Sequence, residues 1–64
     1  MTVKELKKGD YFTLKPIADP SEAQVWIRGE YDRGSRTYSI INFADMNKER
    51  FVKGSRAAFV DMTF

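Results

Sequence analysis

From residue 10 onward the chain alternates apolar and polar positions with a period of two. Residues 11–15 put Phe12 and Leu14 on one face and Tyr11, Thr13 and Lys15 on the other, the pattern of a half-buried strand. Residues 24–32 form the clearest run. Val25, Ile27 and Tyr31 fall on one side and Trp26, Arg28 and Glu30 on the other, with Gly29 marking a bulge or sharp bend. Residues 38–43 make a third strand whose register stays open, because Tyr38 and Ile40 compete with Ile41 and Phe43 for the interior. Residues 49–52 read as a short fourth strand. Residues 58–64 read as a fifth, with Val60, Met62 and Phe64 inward and Phe59, Asp61 and Thr63 outward.

The punctuation between these runs is polar. Thr2 and Glu5 have the spacing of a capping box, so the chain opens with a short helical turn. Lys7 and Lys8 suit its C-terminal end, Gly9 its left-handed stop, and Asp10 an Asx turn that bonds a nearby backbone N–H. Pro16 and Pro20, with Asp19 and Ser21, make a loop reaching about residue 23. Residues 32–37 close a hairpin, residues 44–48 connect the third strand to the fourth, and residues 53–56 form a second tight turn. The fold class expected is all-β: a five-stranded antiparallel SH3-like barrel in a single domain, 1–64, with a short N-terminal helical turn. Curling hides the edges of so small a sheet. An OB-like barrel calls for longer strands and a helix, and no helical period follows residue 9. The expected core is Phe12, Leu14, Val25, Ile27, Val60 and Met62.

Composition narrows the chemistry. A chain of 64 residues buries only about 60% of its unfolded surface, so stability is marginal without a staple. It has no Cys and no His. That removes disulfides, thiolate nucleophiles, Cys/His metal sites and imidazole acid–base chemistry. Five Phe, three Tyr and one Trp supply large buried areas instead. No apolar run approaches the roughly 18 residues of a membrane span, and the opening Met-Thr-Val-Lys-Glu has no signal-peptide core. A soluble, cytoplasmic protein without membrane contact is expected.

The opening Leu6-Lys7-Lys8-Gly9-Asp10-Tyr11-Phe12 resembles the L-K-x-G-D-x-F start of many small SH3-like barrel proteins. Residues 25–33 and the closing Phe59-Val60-Asp61 resemble the middle and last strands of short proteins found in gut bacteria, their phages and mobile elements. The similarity covers nearly the whole chain, but its motifs are a turn, a hairpin and a closing strand. It therefore implies a fold and a bacterial setting, and no activity. A similar opening occurs in translation-factor and KOW-type barrels that bind RNA or ribosomes, an analogy at the level of fold.

Catalytic candidates are few. Glu30 and Asp32 share a strand face about 7 Å apart, yet Arg28, Arg33 and Arg36 surround them, as expected of solvated residues at a hairpin mouth. Asp45 and Glu49 are the other carboxylate pair. Gly29 and Gly34 are turn glycines outside any phosphate-binding motif. The chain is expected to be a non-enzyme without cofactor or metal.

Charge distribution says more. The net charge is +2, but residues 33–56 carry six cationic side chains against two carboxylates, a local +4. Cations interleaved with outward aromatics suit a phosphate backbone with stacked bases. The candidate nucleic-acid residues are Arg28, Arg33, Arg36, Lys48, Arg50 and Lys53, with Trp26 and Tyr38 for stacking. The same aromatics also fit a protein-interaction adaptor or a homodimer, such as an accessory protein of a mobile element, anchored on Trp26 and Phe59. An ordinary solvated surface, with Trp26 lying over the proline loop, accounts for the pattern too. The basic skew favours nucleic acid slightly.

Overall fold

The computed structural model describes residues 1–60. It is all-β: one antiparallel sheet in the order β1 (Tyr11–Phe12), β2 (Trp26–Asp32), β3 (Thr37–Asn42) and β4 (Glu49–Lys53). Two single 3-10 turns, Val3–Glu5 and Glu22–Gln24, complete the regular structure. Chain order equals sheet order, consecutive strands lying side by side.

Local chemistry fixes each corner. The Glu5 carboxylate accepts both the Thr2 N–H and the Thr2 hydroxyl at 2.9 Å, closing the opening turn. Gly9 takes the left-handed conformation at φ 94°, and Asp10 accepts the Lys7 N–H at 2.8 Å. Both features follow the sequence reading. The second 3-10 turn adds to that reading, since Ser21 and Gln24 carry the same three-residue spacing inside what reads as a loop. There the Gln24 amide oxygen accepts the Ser21 N–H at 3.0 Å. Asp32 accepts the Gly34 N–H and the Ser35 hydroxyl, pinning the β2–β3 hairpin turn. At the second turn the Arg56 N–H reaches the Lys53 carbonyl at 3.0 Å.

Gly29 marks a bulge, as expected. The β2–β3 register runs Trp26↔Asn42, Ile27↔Ile41, Arg28↔Ile40 and then Tyr31↔Tyr38, so Gly29 and Glu30 together oppose Ser39. The bulge requires glycine: a Cβ on Gly29 would collide with the Ser39 hydroxyl, which itself accepts the Glu30 N–H at 2.9 Å.

The expected facing of β2 is reversed at Trp26 and Ile27, and the extra residue carries Tyr31 to the side of Trp26 and Arg28. Directly paired residues share a face and alternate positions follow them. One face therefore carries Phe12, Trp26, Arg28, Tyr31, Tyr38, Ile40, Asn42, Arg50 and Val52. This is the core face: Phe12, Trp26 and Ile40 pack there with Val3, Leu6 and Ala58, and Leu14, Tyr38 and Val52 lie against them. Trp26, expected outside, is only 5% exposed, whereas Ile27, expected inside, lies half-buried on the other face beside Ile41. The open register of β3 resolves with Tyr38 and Ile40 inward and Ile41 outward. Val25 is buried as expected but apart from the main cluster, and Val60 is exposed.

The fifth run begins as single bridges. Phe59 pairs with Thr13, exchanging both backbone hydrogen bonds at 2.9 and 3.0 Å, and Ala57 bridges Thr2. Asp61, Met62, Thr63 and Phe64 lie outside the described residues. Buried Asn42 ties the turn before β2 to the turn after β3. Its amide nitrogen donates to the Ala23 carbonyl at 2.9 Å, and its oxygen accepts the Ala44 and Asp45 N–H groups.

Candidate nucleic-acid interface

The sheet register brings four of the sequence-selected residues, Trp26, Arg28, Tyr38 and Arg50, onto one face. Arg28 and Arg50 stand directly on either side of Ile40, across three strands. Each lies against an aromatic ring of the same face. The Arg28 guanidinium is 4.4 Å from the Tyr38 ring centroid, and the Arg50 guanidinium is 5.3 Å from that of Trp26. The Lys48 ammonium approaches Trp26 at 5.9 Å. Tyr38 in turn packs against Tyr31, with centroids 4.8 Å apart and planes tilted by 49°.

The rings hold these cations without neutralising them. Among the described residues one ion pair forms, between Lys8 and Glu30. That bond, and then the charge of Lys8, keep the Glu30 carboxyl below its ordinary range, with a smaller contribution from Arg28. Cation–π contact at an exposed site contributes about 0.5–1 kcal/mol, orients the guanidinium plane, and leaves its positive charge in place. The Nε of Arg28 is buried and has no hydrogen-bond partner among the described residues.

Beyond Tyr38 the face opens into a cleft of about 660 Å³ lined by Thr2, Lys4, Glu5, Tyr31, Arg36, Tyr38, Gly54 and Ser55. The opening 3-10 turn forms one wall and the end of the β2–β3 hairpin the other. Lys4 is drawn in because its N–H bonds the Gly54 carbonyl at 3.0 Å. Gly54 forms a floor with no room for a side chain: a Cβ there would sit 2.9 Å from Tyr38 Cε1 and 3.1 Å from Lys4 Cβ. Arg36 enters with φ 57°. A non-glycine residue in that left-handed region costs roughly 1 kcal/mol, so the hairpin holds Arg36 at the cleft in a conformation its backbone disfavours.

The structure separates the remaining candidates. Arg33 sits in the exposed hairpin turn. Lys53 pairs with Thr37 on the opposite face. Trp26 lies beneath cations as part of the core, so neither base stacking nor anchoring a partner suits it. It lines a cleft of about 230 Å³ with Leu14, Lys15, Ile17, Ala23 and Gln24, at the start of the proline loop. Phe59 lines a different cleft, of about 330 Å³, with Met1, Pro16, Ile17, Ala18, Ala58 and Val60. Trp26 and Phe59 therefore line two clefts that share Ile17. Tyr31, Lys4 and Gly54 escape the sequence reading. Strict alternation ignores the bulge and so misplaces Tyr31; the backbone contact joining Lys4 to Gly54 spans nearly the full chain and leaves no local signal.

Among the described residues no three or more His, Cys, Asp or Glu side chains gather as metal ligands, and no helix is long and apolar enough to cross a membrane. Compared with protein families, curated proteins and solved structures, the chain matches none of them.

Proposed function

We propose that the protein is a small non-catalytic module that binds single-stranded nucleic acid along the cationic face. Phosphates meet Lys48, Arg50, Arg28, Arg36 and Lys4, and a base stacks on the Tyr31–Tyr38 pair in the cleft. The observation that carries this reading is the placement of Arg28 and Arg50. They are set in register, lie on aromatic rings, and have no carboxylate within ion-pair distance among the described residues. Cations held by rings present a fixed row of donors to a polyanion at little further ordering cost. Tyr31, 44% exposed, offers the π surface on which a base stacks.

The same proposal includes barrel closure. Phe59 exchanges both of its backbone hydrogen bonds with Thr13, which supports a fifth strand beside β1 and hence an SH3-like barrel.

The test is polarisation of a labelled single-stranded oligonucleotide across a salt series, with a duplex as comparison. Binding through about four phosphates gives a log–log salt slope near −3. Arg28→Ala combined with Arg50→Ala removes binding, whereas Arg33→Ala leaves it nearly intact. Equal loss from Arg33→Ala, or a salt-independent affinity, overturns the reading.

A further inference from the structure

The outer edge of the sheet carries a separate design. Among the described residues β4 pairs with β3 alone. The Asn42 N–H donates to the Lys48 carbonyl at 3.0 Å, and antiparallel ladders alternate bonded and non-bonded pairs. In the observed register, Arg50 and Val52 therefore turn their backbone groups toward β3, while Glu49, Phe51 and Lys53 turn theirs outward. The Lys53 carbonyl is taken by Arg56; the other outward N–H and C=O groups of these three residues meet no hydrogen-bond partner among the described residues. Their side chains share one face, and Phe51 stands 59% exposed at the centre.

We propose that this edge pairs with β4 of a second copy, antiparallel, with Phe51 on the two-fold axis. In that register Phe51 meets Phe51 of the second copy through their outward backbone groups, and each Lys53 N–H meets the other copy's Glu49 carbonyl. The side chains then match themselves: Glu49 stands opposite Lys53 at one end, and the symmetry repeats the pair at the other. Opposite charges directly across an antiparallel pair stabilise it, and an exposed aromatic pair at the centre excludes water between them. Sliding the pairing so that Arg50 meets Arg50 sets like charges opposite each other and loses both Glu49–Lys53 pairs. Edge strands with outward hydrogen-bonding groups are templates for pairing, and the charge order along residues 49–53 selects one register.

The pairing extends the proposed function without depending on it. A two-fold axis normal to the sheet keeps like faces on the same side, so the Arg28–Arg50 rows of both copies form one longer cationic surface.

Sedimentation equilibrium over a concentration series tests the proposal on the full chain. The apparent mass rises from that of one chain toward twice it. Lys53→Glu or Glu49→Lys alone sets like charges opposite each other and weakens association roughly tenfold or more. The double exchange E49K/K53E restores complementarity and brings association back. Amide dispersion in each variant shows that the fold survives. A monomer at every concentration overturns the pairing, and so does a dimer indifferent to the single reversals or not rescued by the exchange. Oligonucleotide binding by the monomeric Lys53→Glu variant keeps the proposed function standing if the dimer fails. Dimerisation by the Arg28→Ala/Arg50→Ala variant keeps the dimer standing if nucleic-acid binding fails.

Discussion

The guanidinium of Arg28 lies 4.4 Å from the ring centroid of Tyr38, on a strand face where the Gly29–Glu30 bulge places Tyr31 beside the same ring. Arg28 thus joins the cationic row to the aromatic cleft. Planar stacking is something a guanidinium does and an ammonium does not. We expect Arg28→Lys to keep the charge but lose the fixed orientation, giving affinity between wild type and Arg28→Ala. The alanine variant should bind single-stranded DNA roughly tenfold more weakly, as loss of one charge-assisted contact implies. Oligonucleotide titration of the three proteins at one salt concentration checks the order. Equal affinity for all three proteins shows that neither the charge nor its stacking contributes.

Arg36 should trade stability against binding. Its φ of 57° suits asparagine, whose short side chain tolerates the left-handed region. Arg36→Asn is expected to raise unfolding stability by about 0.5–1 kcal/mol in urea denaturation, while removing a cation from the cleft and weakening oligonucleotide binding. Opposite signs in the two measurements are the signature of a residue held in strain for its side chain. A variant that loses both stability and affinity places Arg36 among ordinary structural residues.

Gly54→Ala probes the cleft floor. The new methyl group meets Tyr38 Cε1 at 2.9 Å and Lys4 Cβ at 3.1 Å, both closer than unstrained packing permits. Tyr38 is wedged beneath Arg28 and against Tyr31 and has little room to yield. We expect a loss of about 1–3 kcal/mol, typical of overpacking, together with chemical-shift changes at Tyr31, Tyr38 and Lys4. An unchanged denaturation midpoint would mean that the turn moves freely away from the sheet.

The opening turn should loosen in acid. Hydrogen bonds from the Thr2 backbone and hydroxyl lower the Glu5 pKa from its ordinary value of 4.5. A carboxylate with a lowered pKa in the folded state stabilises that state above the unfolded value and loses the contribution as pH falls through the folded value. The Glu5–Thr2 contacts are therefore intact at neutral pH and lost only below pH 4.5, the Thr2 amide signal shifting as they go. Glu5→Gln should flatten that transition without shifting the Gly29 or Ser39 amides. Glu30, lowered chiefly by its hydrogen bond to Lys8, releases Lys8 on the same side of its ordinary value.

Local signals in the chain were easy to read because their causes are local. Thr2 with Glu5, Gly9 with Asp10, and the glycine at the bulge all act over a few residues, and each appears where its spacing placed it. Facing was harder. Alternation carries a parity, and the bulge at Gly29 changes it midway along β2, so Tyr31 joins Trp26 and Arg28 and not Ile27. Once β2 is reversed, Ile27 and Ile41 share the open face and the core draws on Val3, Leu6 and Ala58 from distant segments. Part of the cationic row, Lys48 and Arg50, was legible as composition, since residues 33–56 are basic. Its selection from that group was not, because only the strand register decides that Arg50 faces Arg28 while Lys53 turns away.

Trp26 decides between the two facings experimentally. It is 5% exposed, packs with Phe12 and Ile40, and lies under Arg50 and Lys48. Removing a buried indole leaves a cavity and costs about 3–5 kcal/mol, whereas truncating an exposed aromatic usually changes stability by less than about 0.5 kcal/mol. A domain of this size has roughly 3–10 kcal/mol in total. Trp26→Ala is therefore expected to be largely unfolded, with collapsed amide dispersion, and Trp26→Phe to remain folded at reduced stability because it keeps a ring against Ile40. As the only tryptophan in the chain, Trp26 also reports its own burial. Acrylamide should quench its fluorescence weakly in water and strongly after urea unfolding. A fully dispersed Trp26→Ala spectrum, with wild-type fluorescence quenched as readily as free tryptophan, would return the indole to the surface and take the cation-covered core face with it.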